Sequence, residues 1–398
     1  MNTERVAVLV LAAGFASRMG RFKPLLPLFN HTVLEQVVSC YKQAGIADIF
    51  TVIGHRAEDL KRHIGQPEVT PVFNKLFGNG MFTSVQAGIR MLDNKFDAFF
   101  VHPVDIPLVR PETIQTLIRS FSEKPGRIQI PCFDHQPGHP PLIPIEYGPV
   151  VLNSKGDGGL KAVLEDLKHN TVMIEVCDEH ILFDIDYPHD YEALLTRSLT
   201  WHLPSPKETM AVLHCFHRPD SDVIAHVRAV TYVACRMAQA LCESGCMLNL
   251  SLVHAGAMLH DLGKGSPNHA EVGAQRLRAL GFHDVADIAS RHLNLDPNDE
   301  YPPDEAEVVF LADKLICGNR LTTIEKRMQM GLDRFGHDSD ARRAIKERLE
   351  HAFRARARIE ERTGQDLFQI IDYFTGQVPQ DMSLFANDKR SAIEQQRP

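Results

Sequence analysis

The chain has 398 residues and no apolar run near the 18 or so residues that a membrane span requires. It also lacks a positive surplus. With a net charge of -8, no global basic field draws it to nucleic acid or to an acidic membrane surface, and neither is expected as a partner. Cysteines are sparse: eight, at 40, 132, 177, 215, 235, 242, 246 and 317, scattered along a long chain. That spacing excludes a dense disulfide framework. Cys242 and Cys246 fall one helical turn apart, but no second pair lies near enough to complete a zinc site. Reduced thiols in a cytoplasmic protein are the expectation. Residues 6–13 are apolar, but Glu4 cancels Arg5 ahead of them and the run is short, so no secretion leader is expected. What is present is an ordinary globular composition, 44% hydrophobic and 24% charged, long enough for two domains.

The two halves differ in grammar. In the first, short β-branched or aromatic runs alternate with helical patterns. VAVLVL (6–11), IFTVIG (49–54), AFFVHPVD (98–105), RIQIPCF (127–133) and ILFDID (181–186) read as strands. TVLEQVVSCYKQAG (32–45) places Val33, Val37, Val38 and Tyr41 at helical steps and stops at Gly45. Such alternation predicts a mostly parallel sheet with helices on both faces, an α/β domain. SLTWHLPSPKE, with Pro204 and Pro206, reads as a linker. Beyond it the chain is nearly all helical. VIAHVRAVTYVACRMAQAL (223–241) sets Val227, Val230, Ala234, Met237 and Leu241 on one stripe. Residues 338–362, rich in Arg and Glu at four-residue steps, read as a solvated helix face, and the last dozen residues read as frayed. No internal repeat is present.

Chemistry concentrates first in LAAGFASRMGRFKPLLPL (11–28). A Gly-rich turn that follows a strand and opens a helix aims free N–H groups and a helix dipole at an anion. Arg18 and Lys23 add full charges, Arg as a fork of donors and Lys as a point charge. The spacing matches neither G-x-G-x-x-G nor G-x-x-x-x-G-K-[ST], so neither a dinucleotide site nor an ATPase loop is indicated.

These residues resemble the signature of the Rossmann-like (GT-A-like) nucleotidyltransferases, and within them the molybdenum cofactor cytidylyltransferase group. Further pieces follow in order: GNGMFTSVQAGI (78–89), VDIPLV (104–109), PGHPPLI (137–143), GDGGLKAVL (156–164) and DIDYPHDYEAL (184–194). The resemblance implies transfer of a nucleotidyl group, with pyrophosphate released. Leu11, Ala12, Ala13, Gly14, Ser17, Gly20, Gly80, Ser84 and Gly88 would cradle the nucleotide. Arg18 and Lys23 would act on the phosphates. Asp105, Asp186 and Asp184 would hold Mg²⁺, and His139 would face the acceptor. LAAG, with Ala13 where guanylyl-transferring relatives read LAGG, favours CTP. The implied acceptor is molybdopterin-type cofactor; another small phosphorylated acceptor is the alternative. The chain departs from the pattern at Ala16, where the group has Ser.

In the second half, MLHDLGKG holds His260 and Asp261 side by side, with His226 upstream and Asp313 in FLADKL downstream. This series resembles the HD-domain metal phosphohydrolases. The resemblance implies that His226, His260, Asp261 and Asp313 bind a divalent transition metal, Mn or Fe, that His269 and His292 add a second, and that Lys264 touches a substrate phosphate. RHLNLDPNDEYPPD lacks the H-H-E and the glycines of the cyclic dinucleotide phosphodiesterases, which disfavours that substrate. A regulatory module that binds metal or nucleotide without turnover is the alternative for this half. The organisation expected is a nucleotidyltransferase domain at 1–198, a linker at 199–208, an all-α HD domain at 209–325, and a helical extension with a frayed tail at 326–398.

Overall fold

The computed structural model describes residues 5–15, 17–64, 69–92 and 95–371; Ala16 and the final dozen residues lie outside them. The chain divides into two compact units, Met1–Trp201 and His202–Pro398.

The first unit is a mixed, mostly parallel sheet flanked by helices. Its strands are β1 (Val6–Leu11), β4 (Asp48–Ile53), β5 (Val69–Phe73), β6 (Ala98–Pro103), β7 (Ile128–Phe133), β8 (Gln136–Pro137), β9 (Leu142–Pro144) and β10 (Thr171–Glu175). A separate short hairpin pairs β2 (Pro27–Leu28) with β3 (His31–Thr32). The sheet order is β10-β7-β9-β6-β1-β4-β5, with β8 paired to β7. β1 lies between β4 and β6, parallel to both, and all six of its residues are buried. A strand buried on both faces has no use for polar alternation, which is why VAVLVL is uniformly apolar. β9 runs antiparallel between β6 and β7.

The helices are α1 (Val33–Gln43), α2 (Ala57–Ile64), α3 (Met81–Ile89), α4 (Pro111–Glu123), α5 (Gly148–Asn153), α6 (Gly159–Asp166) and α7 (Pro188–Ser198). α1 begins at a capping box: Glu35 N donates to Thr32 Oγ1 (3.3 Å) while Thr32 N donates to Glu35 Oε2 (2.7 Å). Its apolar stripe, Val33, Val37, Val38 and Tyr41, is buried as the periodicity predicts, and Gly45 follows at φ +90°. After α7, Trp201 donates its indole N–H to the Leu108 carbonyl (2.7 Å).

Two local expectations fail. ILFDID is not a strand: Glu179–Leu182 form a 3₁₀ turn, capped by the Asp178 side chain accepting from His180 N, and 183–187 are irregular. Ile181 and Ile185 are fully buried, and two anchors four residues apart imitate the alternation of a strand. Nor does the loop after β1 open directly into a helix. It passes through turns, a 3₁₀ segment at Lys23–Leu25 and the β2–β3 hairpin before α1 begins.

The second unit is helical: α8 (Pro206–Phe216), α9 (Asp222–Glu243), α10 (Leu250–Leu259), α11 (His269–Arg278), α12 (His283–Arg291), α13 (Glu305–Leu315), α14 (Ile324–Phe335), α15 (Ser339–Thr363) and α16 (Leu367–Ile370). A two-residue hairpin, β11 (Ile316–Cys317) with β12 (Arg320–Leu321), joins α13 to α14. The α9 stripe of Val227, Val230, Ala234, Met237 and Leu241 is buried as expected. α15 is not simply a solvated face. Leu349, Ala352, Ala355 and Ile359 sit at three- and four-residue steps and bury one side in the core shared with α9 and α13. No helix among the described residues is long and apolar enough to cross a membrane.

Candidate functional sites

β1 ends at Leu11 and β6 at Pro103, so the loops that follow them leave the same, carboxyl edge of the sheet. There they frame a cleft of about 550 Å³. Carboxyl-edge crevices of parallel sheets are where α/β domains place their ligands. Of the residues predicted from the sequence, Leu11, Ala12, Ala13, Gly14, Ser17, Arg18, Lys23, Gly80, Ser84, Asp105 and Asp186 line this cleft. It draws together positions up to 175 residues apart.

Lys23 is the centre of its charge. The side chain is buried, and Nζ lies 3.3 Å from Asp105 Oδ2 and 2.7 Å from Asp186 Oδ1. Arg18 Nη1 donates to the other oxygen of Asp186 at 3.2 Å. Burial pushes the Asp105 carboxyl above its ordinary range, against the pull of Lys23, while the hydrogen bond from Lys23 holds Asp186 below it. Two carboxylates gripping an ammonium between them are a ready cation site. Hard oxygen ligands of this kind suit Mg²⁺.

Asp186 is held by its own segment. Its N–H and that of Tyr187 both donate to Asp190 Oδ2, at 3.0 and 2.7 Å, in the first turn of α7. Asp105 sits in the turn after β6, whose shape is fixed from behind. His102 Nε2 faces the Ile106 carbonyl at 2.9 Å and must carry the proton there, so Nδ1 accepts from Tyr41 Oη at 2.8 Å. Burial keeps this imidazole neutral, with its pKa down to about 4. Ser84, in α3, accepts from the Asn74 amide at 3.0 Å.

Other predicted residues lie elsewhere. Gly88 does not line the cleft; an added Cβ there would stand 2.9 Å from Leu9 Cδ1, so its role is to let α3 close on β1. Gly20 takes φ +65° in the loop without lining the cleft. Asp184 is exposed outside the cleft. His139 is likewise no lining residue, but Asp105 and Asp184 act on it electrostatically, and its Nδ1 is buried with no hydrogen-bond partner. Its backbone N–H is pinned to the Ile181 carbonyl at 2.9 Å. Ala16 lies outside the described residues. The sequence reading missed an apolar wall, Phe15, Phe77 and Met81, where the Phe rings lie 5.3 Å apart and Phe15 is 54% exposed. An exposed aromatic ring beside a half-buried one at the mouth of a cleft offers a flat stacking surface. Large exposed hydrophobics among small residues were the available signal.

In the second unit, His226 (α9), His260 and Asp261 (the turn after α10), His269 (first residue of α11), His292 (after α12) and Asp313 (α13) converge. His226 Nε2 lies 3.1 Å from Asp313 Oδ1 and 3.8 Å from Asp261 Oδ2. His260 Nε2 lies 3.9 Å from Asp261 Oδ2 and 3.8 Å from Asp313 Oδ1. The second oxygen of Asp261 faces His269 Nε2 at 3.3 Å and His292 Nε2 at 3.5 Å. Asp261 thus offers one oxygen to each of two histidine groups, either of which has the spacing to hold an ion.

The donor set fits metal ions. The Nδ1 atoms of His226, His260 and His292 face the carbonyls of Gly318, Ala257 and Ala289 at 2.7, 2.8 and 2.6 Å. Each must be protonated there, which leaves Nε2 with its lone pair directed inward. Nε2 of His260, His269 and His292 and Oδ1 of Asp261 are buried with no hydrogen-bond partner. Four orphaned acceptors in one place are costly unless a cation takes their lone pairs. Burial holds the His260 imidazole down to about 4, so it stays neutral and able to ligate. Lys264 Nζ lies 2.9 Å from Asp261 Oδ2. Unforeseen was Lys314, buried, donating to Asp313 Oδ2 (2.7 Å) and to the His292 carbonyl (2.9 Å).

Comparison with known proteins agrees with both halves. Residues 8–172 match the model of the MobA-like NTP transferase domain, and residues 223–316 match that of the HD domain. The chain is 28% identical over 184 residues to the molybdenum cofactor cytidylyltransferase of Escherichia coli, covering 46% of this chain and 92% of that protein. It is 32% identical over 169 residues to the bifunctional protein GlmU of Gloeobacter violaceus, covering 41% of this chain and 34% of that one. A solved nucleotidyl transferase from Methanothermobacter is similar at 23% identity and a TM-score of 0.44, over 49% of this chain and 98% of that one. The chain thus joins a MobA-like NTP transferase domain to an HD domain.

Proposed function

We propose that the first unit transfers CMP from CTP to molybdopterin-type cofactor and releases pyrophosphate. The observation that carries this reading is Lys23 gripped between Asp105 and Asp186 at the edge of a cleft walled by Phe15 and Phe77. The similarity to the cytidylyltransferase, which spans nearly all of that relative, supports the choice of base and acceptor. An oxygen of the acceptor phosphate attacks the α-phosphorus. The bond from that phosphorus to the α–β bridging oxygen breaks, and pyrophosphate leaves with the electron pair. Asp105 and Asp186 would hold Mg²⁺, which supplies charge neutralisation to the phosphates when bound. As the triphosphate enters, Lys23 exchanges its carboxylate partners for phosphate oxygens, and Arg18 covers the same charge from the exposed side. Gly14 lets the backbone approach the phosphates, and the Phe pair stacks on the base. His139, beside Asp105, faces the acceptor.

The second unit, on the same footing, is a metal-dependent phosphohydrolase. His226, His260, Asp261 and Asp313 would hold one divalent metal, and Asp261, His269 and His292 a second, with Mn or Fe favoured by the imidazole–carboxylate set. Such metals supply Lewis acidity and lower the pKa of water. Lys264 contacts the substrate phosphate.

The test is a screen of the purified full-length protein with Mg²⁺, the four nucleoside triphosphates and a panel of phosphorylated acceptors, with released pyrophosphate as the readout. CTP with molybdopterin cofactor is expected to be the best pair. Release with a different acceptor alone replaces the acceptor, and no release with any pair overturns the transferase reading. Metal analysis and a phosphomonoester assay test the other half; bound metal without turnover assigns it a regulatory role.

A further inference from the structure

α14 and α15 follow the HD match, and both pack against α13, the helix that carries Asp313. They bring two arginines to the histidine–aspartate centre. Arg327, in the first turns of α14, is anchored through Nη1, which donates to the Ile316 carbonyl. Its Nη2 lies 4.0 Å from Asp313 Oδ1, the oxygen that His226 and His260 also face. The Arg327 side chain is 30% exposed, so a ligand in solution can reach it. Arg348, on α15, is half-buried within electrostatic reach of Asp313 and Arg327, and its Nε is buried without a partner.

The charge count at this place does not close. Asp261 and Asp313 bring two negative charges; Lys264, Lys314, Arg327 and Arg348 bring four positive ones. Divalent ions on the orphaned histidines would add more. Partly buried cations without counter-ions are unfavourable, and a guanidinium is suited to paired bonds with phosphate oxygens. What is missing is an anion of more than one charge.

We propose that Arg327 and Arg348 form a phosphoryl-binding subsite beside the metal centre, and that the HD half therefore takes a dianionic phosphoryl group, a phosphomonoester or the terminal phosphate of a nucleotide, in preference to a singly charged phosphodiester. This rests on the reading of the second unit as a metal-dependent phosphohydrolase. It assigns a substrate-binding role to the helical extension outside the matched domain.

The test uses full-length protein loaded with Mn²⁺, with metal stoichiometry measured on every sample. Inorganic phosphate is titrated calorimetrically into the wild type, Arg327→Gln, Arg327→Lys and Arg348→Gln. The glutamine variants are expected to keep their metal and bind phosphate about ten- to a hundredfold more weakly, the loss of one charge-assisted hydrogen-bonded partner. Arg327→Lys, which keeps the charge and the fold but loses the fork, is expected to fall between. An aryl phosphate monoester is expected to be hydrolysed faster than the bis-aryl diester, with the ratio reduced in Arg327→Gln. Equal phosphate affinity in wild type and metal-replete variants overturns the subsite, as does a preference for the diester. Wild-type protein that binds no metal at all overturns the underlying phosphohydrolase reading instead.

Discussion

Lys23→Met removes one ammonium and keeps most of the apolar stem, so it isolates the charge at the transferase cleft. That charge serves two carboxylates, at 3.3 and 2.7 Å. The lysine side chain is 10% exposed, but its partners are 20% and 36% exposed. The interaction therefore falls between an exposed pair, worth about 0.2–1 kcal/mol, and a buried one, whose breaking costs about 3–5 kcal/mol. A loss of about 2 kcal/mol at pH 7 is expected, a fall of about 4–8 °C in the melting temperature of the first unit. The pH dependence distinguishes this from a packing defect. Burial already raises the Asp105 carboxyl, with Lys23 opposing it; without Lys23 it rises further beside Asp186. A carboxyl raised in the folded state contributes stability that is present below the unfolded pKa and lost as pH rises through the folded one. Asp186 behaves oppositely: its carboxyl is lowered chiefly by Lys23, and that contribution, present above the unfolded pKa, disappears in the variant. Both effects make the deficit largest near neutral pH and smallest near pH 4. Saturating MgCl₂ should raise the melting temperature of the variant more than that of the wild type, because the cation no longer competes with the lysine. Pyrophosphate release should fall by about 10²–10³, the usual cost of one preorganised charge at a transferring centre. Thermal melts from pH 4 to 8 with and without Mg²⁺, alongside the release assay, check all three. A pH-independent deficit, or equal stabilisation by Mg²⁺, refutes the account of Lys23.

Three further outcomes are expected. His102 is held neutral in the fold with a pKa of about 4 against an ordinary 6.5, so stability falls as pH drops through that window, by about 3 kcal/mol in full; His102→Gln should flatten this part of the acid-stability curve measured by urea melts. Gly138→Ala places a Cβ 2.6 Å from the Ile181 carbonyl oxygen, an atom of the backbone, and should displace the His139 segment at a cost of about 1–3 kcal/mol, raising the KM for the acceptor more than that for the nucleoside triphosphate. Gly263→Ala drives a Cβ into the His269 carbonyl oxygen; it should lower the bound-metal content of the second unit, measured by elemental analysis, while pyrophosphate release by the first is unchanged.

Much of the candidate machinery was legible because its residues are tied to local grammar. Asp105 lies just beyond a buried parallel strand, where a polar side chain has only the sheet edge to occupy, and Lys23 stands in the charged Gly-containing loop that follows another. His260 and Asp261 follow an apolar helix in the same way. What was not legible depends on packing at a distance. Gly88 resembles a ligand-binding glycine in its motif, yet its missing side chain makes room for Leu9. Asp186 was expected at a strand end, but the cap on Asp178 turns the preceding segment into a 3₁₀ turn. Arg348 belongs to a run whose charges look uniformly solvated, and only the burial of Leu349, Ala352 and Ala355 reveals which face of α15 turns inward.

The antiparallel strand β9 separates the parallel sheet into two blocks, β6-β1-β4-β5 on one side and β7-β10 on the other. The loop that carries Arg18 and Lys23 and the turn that carries Asp105 grow from the first block, while the His139 segment hangs between β8 and β9 at the border of the second. The Lys23 cleft and the His139 segment thereby rest on different parts of the sheet. The 138–140 turn forms no ladder pair with β1 or β6, so it can vary while the strands that precede Lys23 and Asp105 are kept.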